Sequence, residues 1–107
     1  MNEFLTKLEQ VSAEDITGLK RAAESYGDSW KRRGGVGAFM MLARKWDRLE
    51  LHAQRSGYDI FKVIESDERT EGAIDDLRDL RRYLMLVEAE LRVRGVTAAL
   101  GGHRDNK

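Results

Sequence analysis

A basic cluster followed by two glycines stands ahead of a long amphipathic segment of the chain. The cluster is Lys31, Arg32 and Arg33, and the glycines are Gly34 and Gly35. If a helix begins at this point, its unpaired backbone N–H groups and its dipole favour an anion, and arginine can bind a phosphate bidentately. The other candidate ligand-binding residues here are aromatic or polar, and the aromatic rings could stack on a base: Tyr26, Asp28, Ser29 and Trp30.

The same segment has a simpler interpretation. An exposed connection between helices also needs glycine in order to turn, and it carries charge because it is solvated. A Walker phosphate loop is excluded, since no Lys-Ser or Lys-Thr pair follows the glycines. The sequence therefore leaves both interpretations open, a phosphate site and a solvated connection.

Four carboxylates form a second candidate site. Asp47 and Glu50 are three residues apart, as are Asp76 and Asp79, and residues at this spacing share one face of a helix. If two helices pack antiparallel, the pairs could converge on Mg²⁺, which prefers oxygen ligands and retains waters for a substrate phosphate. The alternative is that these acids form ion pairs with arginines close in sequence: Arg44, Arg48, Arg78, Arg81 and Arg82.

The two histidines offer no catalytic arrangement. His52 and His103 have no Ser, Cys or His partner at a useful spacing. We therefore expect both to be ordinary surface residues, and no nucleophile–base pair can be argued.

Apolar periodicity and capping signals predict an all-α fold. The N-terminal part should contain two shorter helices, one over 3–10 and one from Ala13 to about Tyr26. Ser12 is a good N-cap for the second of these, and Gly27 is placed to stop it. A third short helix, capped by Asp59, is expected over the β-branched segment that follows Gly57.

Two long helices should dominate a small bundle, at about 36–56 and 71–94. Apolar residues at helical spacing define the inward stripe expected for the first of them: Phe39, Leu42, Ala43, Trp46, Leu49 and Ala53. A leucine-rich seam is expected on the second: Leu77, Leu80, Leu84, Val87 and Leu91. Tyr83 and Leu86 widen this seam, so we expect it to contact a second chain in a homo-oligomer. We expect a single helical domain over 1–95 and a loose tail over 96–107.

Composition narrows the classes of function. The chain has 107 residues, with 19 basic and 19 acidic side chains, and this balance argues against a general nucleic-acid binder. There is no cysteine, which excludes disulfides and thiolate metal sites. No apolar run reaches membrane-spanning length and no signal-peptide pattern is present, so we expect a cytoplasmic protein without a membrane partner.

Three segments of the chain resemble a known family. They are YGDSWKRRGG (26–35), ARKWDRLE (43–50) and DDLRDLRRYLMLVEAEL (75–91). Their order is similar to that in small helical phage proteins called nucleotide-modification-associated domains, over roughly 26–91. The resemblance implies viral origin, the host cytoplasm and a role in nucleotide metabolism.

The two acidic pairs give a second resemblance, to MazG-like all-α nucleotide pyrophosphohydrolases. Those enzymes bind Mg²⁺ through E-x-x-E and E-x-x-D pairs and cleave nucleoside triphosphates. By this resemblance the four carboxylates above would hold Mg²⁺, and Lys45 or Arg48 would meet phosphate. Tyr83, one turn beyond Asp79, joins the candidate ligand-binding residues. The pairs here are D-x-x-E and D-x-x-D, and the shorter aspartates favour nucleotide binding over hydrolysis.

The sequence therefore predicts a phage protein that binds a phosphorylated nucleotide, with Mg²⁺ as the candidate cofactor if the carboxylates converge. If it is an enzyme, a magnesium-dependent pyrophosphohydrolase is expected. Two alternatives stay open. One is non-catalytic sequestration of a nucleotide signal in counter-defence, and the other is a helical module that binds another protein.

Overall fold

A computed structural model gives the fold and describes residues 2–63 and 72–95. Within these ranges all regular structure is helical, which confirms the all-α prediction for the described residues. Three α-helices are present: α1 (Asn2–Tyr26), α2 (Gly34–Arg55) and α3 (Ala73–Val93). Single 3₁₀ turns occur at Ser29–Lys31 and Ile60–Lys62. The expected helix start at 71, the tail over 96–107 and His103 lie outside the described residues.

The N-terminal helix differs from the prediction. α1 is one continuous helix of 25 residues, whereas a break before Ala13 was expected. Ser12 lies in its interior, because no glycine or proline interrupts the first 17 residues and an N-cap contributes only about 1 kcal/mol. The described chain therefore has three helices of similar length, not two long and several short ones.

The ends of α1 and α2 agree with the prediction. Gly27 and Gly57 follow these helices with φ values of 59° and 67°, the left-handed conformation that glycine adopts most easily. Tyr58, directly after Gly57, also has a positive φ of 66°. Its backbone N–H donates to the Ala53 carbonyl oxygen at 2.7 Å, so the turn after α2 is closed by a hydrogen bond.

Two compact units divide the chain, Met1–Phe39 and Met40–Lys107, with α2 continuous across the division. In the second unit, Leu49, Val63 and Ala73 form a small buried core, with Ala53 and Leu80 packed against it. The single domain over 1–95 stays a prediction.

The short segment after α2 delivers Val63 to this core. Asp59 accepts a hydrogen bond from the Phe61 backbone N–H at 3.1 Å, which confirms the expected cap. The helix that it caps is one 3₁₀ turn, shorter than expected.

The buried face of α2 matches the predicted stripe in part, since Leu42, Ala43 and Ala53 are half-buried as expected. Leu49 is buried, but Phe39 and Trp46 expose 62% and 53% of their surfaces. His52 is buried at 6% and was expected at the surface. At about 100° per residue, His52 and Lys45 lie on one side of α2, with Leu49 close beside them. The inward face therefore includes charged residues, because α3 presents carboxylates to it.

No α-helix among residues 2–63 and 72–95 is both long and apolar enough to cross a membrane.

Candidate functional site

Ion pairs between α2 and α3 form a ladder in the second unit. Lys45 Nζ lies 3.0 Å from Asp79 Oδ2, and Arg48 Nε lies 3.2 Å from Asp76 Oδ1. The partner's number falls as the α2 number rises, so the two helices run antiparallel here. This orientation is the one that the magnesium hypothesis required, but basic side chains on α2 contact the α3 carboxylates.

Asp76 is the centre of the ladder. Its side chain is 1% exposed, and its Oδ2 lies 3.3 Å from Nε2 of the buried His52. That oxygen makes no hydrogen bond of good geometry within the described residues. A buried carboxylate is costly unless a charge or donor faces it. Arg48 supplies that charge at Oδ1, and His52 Nε2 is the basic atom nearest to Oδ2 among the described contacts.

Asp79 lies at the more exposed end of the ladder. Besides Lys45, it has Arg78 Nε at 3.5 Å, and Arg78 Nη2 lies 2.9 Å from Asp75 Oδ1. The alternative foreseen from sequence, pairing of these acids with arginines, is confirmed by Arg48 at Asp76. At Asp79 the expected arginine, Arg78, is the more distant contact, and the nearer partner is Lys45.

The first carboxylate pair does not join the second. Asp47 lies about 200° round α2 from Lys45, and Glu50 lies about 200° round it from Arg48. Within residues 2–63 and 72–95, no group of three or more histidines and acids is placed to hold a metal ion. Magnesium binding by these four acids therefore stays a prediction, and the ladder offers no preformed cage for it.

The remaining candidates in the second unit have mixed accessibility. Lys45 is largely covered, whereas about half of the Arg48 side chain is exposed beyond its contact with Asp76. Tyr83 is half-buried on α3, two turns beyond Asp76 and on the same face. Arg48 is thus the most accessible of the three to a ligand.

The basic loop lies in the first unit, between α1 and α2. Tyr26 and Arg32 are exposed, and Trp30 is half-buried with Lys31 Nζ 6.0 Å from its ring centroid. The Asp28 carbonyl oxygen accepts from the Lys31 backbone N–H at 3.0 Å, while its carboxylate caps nothing. Ser29 opens the 3₁₀ turn and is exposed.

α2 begins at the end of this loop without a conventional cap. Gly34 has a φ of 77°, so the chain turns into the helix through a left-handed residue. The residue before it, Arg33, has no side-chain acceptor, and the first turn of α2 contains no acidic residue. A Cβ at Gly37 would lie 2.7 Å from Arg33 Cβ, so glycine lets the arginine stem pack against this turn.

His52 is the residue of the ladder that sequence reasoning missed. It lies on the same face of α2 as Lys45 and Arg48, at spacings of seven and four residues. That spacing was the available signal, because a histidine in line with two cations opposite an aspartate pair is a candidate partner for it.

Comparison with known proteins identifies no family for this chain. No family model matches this chain, and the comparisons with curated proteins and with solved structures found no match either. The resemblances drawn from sequence motifs therefore stay predictions.

Proposed function

We propose that this chain binds the phosphate of a nucleotide at the loop over 26–35 and the first turn of α2. One observation carries the proposal. Three consecutive cations precede a helix that has no acidic residue in its first turn, and neither Arg32 nor Arg33 forms an ion pair among the described residues. A local excess of positive charge thus stands at the positive end of α2.

The helix dipole makes this arrangement unfavourable without a counter-ion. A cation near a helix N-terminus opposes the dipole, an effect of about 0.3–1 kcal/mol per charge at an exposed site. The N–H groups of Gly34, Gly35 and Val36 also have no acceptor within the helix. A bound phosphate would accept from these groups and reverse the unfavourable charge interaction, which is why the segment favours an anion.

Aromatic side chains extend the proposal from phosphate to nucleotide. Tyr26 ends α1 and is exposed, and Trp30 lies next to the basic residues. A base stacked on either ring would contribute about 1–3 kcal/mol. Lys31 already lies near the Trp30 ring, so stacking on Trp30 would use its other face or displace the lysine.

Binding without hydrolysis is the form of the function that the ion-pair ladder favours. Magnesium chemistry at Asp76 and Asp79 would require both to leave Arg48, His52 and Lys45. Breaking these contacts around the buried Asp76 would be costly. Sequestration of a nucleotide is therefore a better-supported role for this chain than pyrophosphate cleavage.

Titration calorimetry with ATP, ADP and inorganic pyrophosphate, each with and without Mg²⁺, tests the proposal. The double variant Arg32→Ala, Arg33→Ala should weaken binding at least tenfold, since one charge-assisted hydrogen bond contributes about 1.5–3 kcal/mol. If the base stacks, ATP should bind more tightly than pyrophosphate.

A matched control removes the same charge from another place in the first unit. Lys20→Ala, Arg21→Ala changes two exposed basic residues on α1 outside the loop over 26–35 and should leave the dissociation constant within about twofold, since exposed charges that do not contact the ligand are weakened by salt. Equal binding by the Arg32, Arg33 variant and the parent would exclude the loop as the site. Equal losses in both double variants would reduce the effect to net charge.

A further inference from the structure

Three glycines lie in the first turn of α2, and they serve different purposes. They are Gly34, Gly35 and Gly37. Gly34 has a positive φ of 77°, and a Cβ built on it or on Gly35 would meet no atom within 4 Å. A Cβ on Gly37 would instead lie 2.7 Å from Arg33 Cβ and 4.0 Å from Arg33 Cγ. Gly37 is therefore the member of this set that leaves space for a neighbouring side chain.

The short distance at Gly37 excludes a larger residue in this geometry. Non-bonded carbon atoms are best separated by about 3.5–4.0 Å, so an approach of 2.7 Å would be a clash. Arg33 Cβ is bonded directly to the backbone, and a change of rotamer cannot move it away. An alanine at 37 would therefore displace the backbone of Arg33 and with it the starting point of the arginine side chain.

This packing distinguishes Arg33 from the arginine before it. The stem of Arg33 lies against the first turn of α2, while the residue as a whole is exposed and forms no ion pair among the described residues. Arg32 is also exposed, but none of its side-chain atoms lies within 4 Å of the position that a Cβ on Gly37 would take. Glycine inside a helix is less favourable than alanine, and the contact with Arg33 explains why Gly37 is there.

We propose that Gly37 is a positioning residue for phosphate binding, because the space beside it keeps the stem of Arg33 against the first turn of α2. The inference rests on the proposed function, in which Arg33 is a partner of the bound phosphate. The unpaired N–H groups of Gly34, Gly35 and Val36 belong to the same turn. An arginine that starts there can bind the phosphate to which these groups donate. Gly37 acts through Arg33 and has no need to touch the ligand.

Two glycine-to-alanine variants test the steric part of the proposal without a ligand. Gly35→Ala should keep or raise the thermal midpoint, because its new Cβ meets nothing and alanine is the better helix former. Gly37→Ala adds the same methyl group and should lower the midpoint, because that group meets Arg33. In the Arg33→Gly background, which has no Cβ at this position, Gly37→Ala should raise the midpoint instead.

Titration calorimetry with inorganic pyrophosphate tests the positioning role. Arg33→Ala should raise the dissociation constant about tenfold, as expected for loss of one charge-assisted hydrogen bond. Gly37→Ala should raise it by about three- to tenfold, since the arginine is displaced but still present, and circular dichroism should show the helices intact. In the Arg33→Gly background, Gly37→Ala should change the dissociation constant by less than about twofold, because no side chain remains there to be displaced.

Three results would overturn the proposal, and they separate it from the proposed function. If Arg33→Ala weakens binding and Gly37→Ala does not, the loop binds phosphate and Gly37 has no part in it. If Gly37→Ala weakens binding equally in the parent and in the Arg33→Gly background, it acts by a route other than Arg33. A parent that fails to bind pyrophosphate removes the proposed function and this inference together.

Discussion

Asp76 exposes only 1% of its surface although its side chain is a carboxylate. Its carboxylate faces Arg48 on one oxygen and His52 on the other, while its backbone N–H donates to the Gly72 carbonyl oxygen at 3.0 Å. Asp76, like Asp79, therefore links α3 to α2 through side-chain contacts.

Replacing Asp76 by Ala should destabilise the fold strongly. The change removes the buried carboxylate that contacts both Arg48 and His52, and loss of a buried polar partner costs about 1–3 kcal/mol. Urea denaturation followed by circular dichroism gives the free energy of unfolding. Asp79→Ala is the control within the same ladder, and its more exposed contacts should contribute about 1 kcal/mol or less. Equal losses for both would mean that burial does not set the strength of the ladder.

Sequence reasoning identified the acids and named two of their arginine partners, Arg48 and Arg78. It did not identify Lys45 or His52 as partners. The three-residue spacing of Asp76 and Asp79 showed that they share a face, which the structure bears out. It could not show which face of α2 lies opposite. A carboxylate pair with metal and a carboxylate pair with arginine and histidine have the same spacing, so only the packing of the two helices separates them.

At the scale of the element, Ser12 shows that a capping signal in the sequence can fall inside a continuous helix. Its sequence context predicts an N-cap, yet it lies in the middle of α1 and is exposed. In a cap position Ser→Ala would cost about 1 kcal/mol, whereas in an exposed interior alanine is the better helix former by about half a kcal/mol.

Ser12→Ala should therefore raise the stability of the protein slightly. Asp59→Ala is the matched variant at a position where the structure has a side-chain cap, and it should lower stability by about 0.5–2 kcal/mol. Thermal denaturation of both variants, monitored by circular dichroism, shows whether each change raises or lowers the stability of the protein. A loss on Ser12→Ala comparable with that of Asp59→Ala would mean that α1 is broken at this residue.

The ends of helices were easier to predict than their inward faces. Gly27 and Gly57 stop α1 and α2 because the left-handed conformation is a local property of the backbone. The inward face of α2 depends on α3, whose contacting residues lie 24 to 34 positions further along the sequence. Phe39 and Trp46 suggested the wrong side because apolar periodicity marks every apolar stripe of a helix, including stripes that its own unit leaves exposed.

At the scale of the whole molecule, the charges sum to zero but are unevenly distributed along the chain. The formal net charge is zero, yet three cations cluster before α2 and three aspartates lie in the first two turns of α3. These aspartates contact basic side chains, whereas Arg32 and Arg33 form no ion pair among the described residues. This asymmetry favours an anion over a metal cation as the ligand of the chain.

Mg²⁺ alone should therefore leave the thermal midpoint unchanged, whereas a nucleotide should raise it. A ligand that binds only the folded state raises apparent stability in proportion to its concentration over its dissociation constant. Thermal-shift measurements with millimolar MgCl₂ and with ATP, at matched ionic strength, provide the comparison. A rise with MgCl₂ alone that Asp76→Asn and Asp79→Asn both remove would support the pyrophosphohydrolase alternative and contradict this prediction.

Tyr58, with its positive φ, is a position at which selection for stability alone would favour a different residue. A side chain other than glycine in this conformation costs about 1–2 kcal/mol, and 64% of the tyrosine surface is exposed, so burial returns little of that cost. Selection for thermal tolerance alone would replace it with glycine or asparagine. A lineage that keeps an aromatic ring at this turn is therefore keeping it at a cost to the stability of the fold.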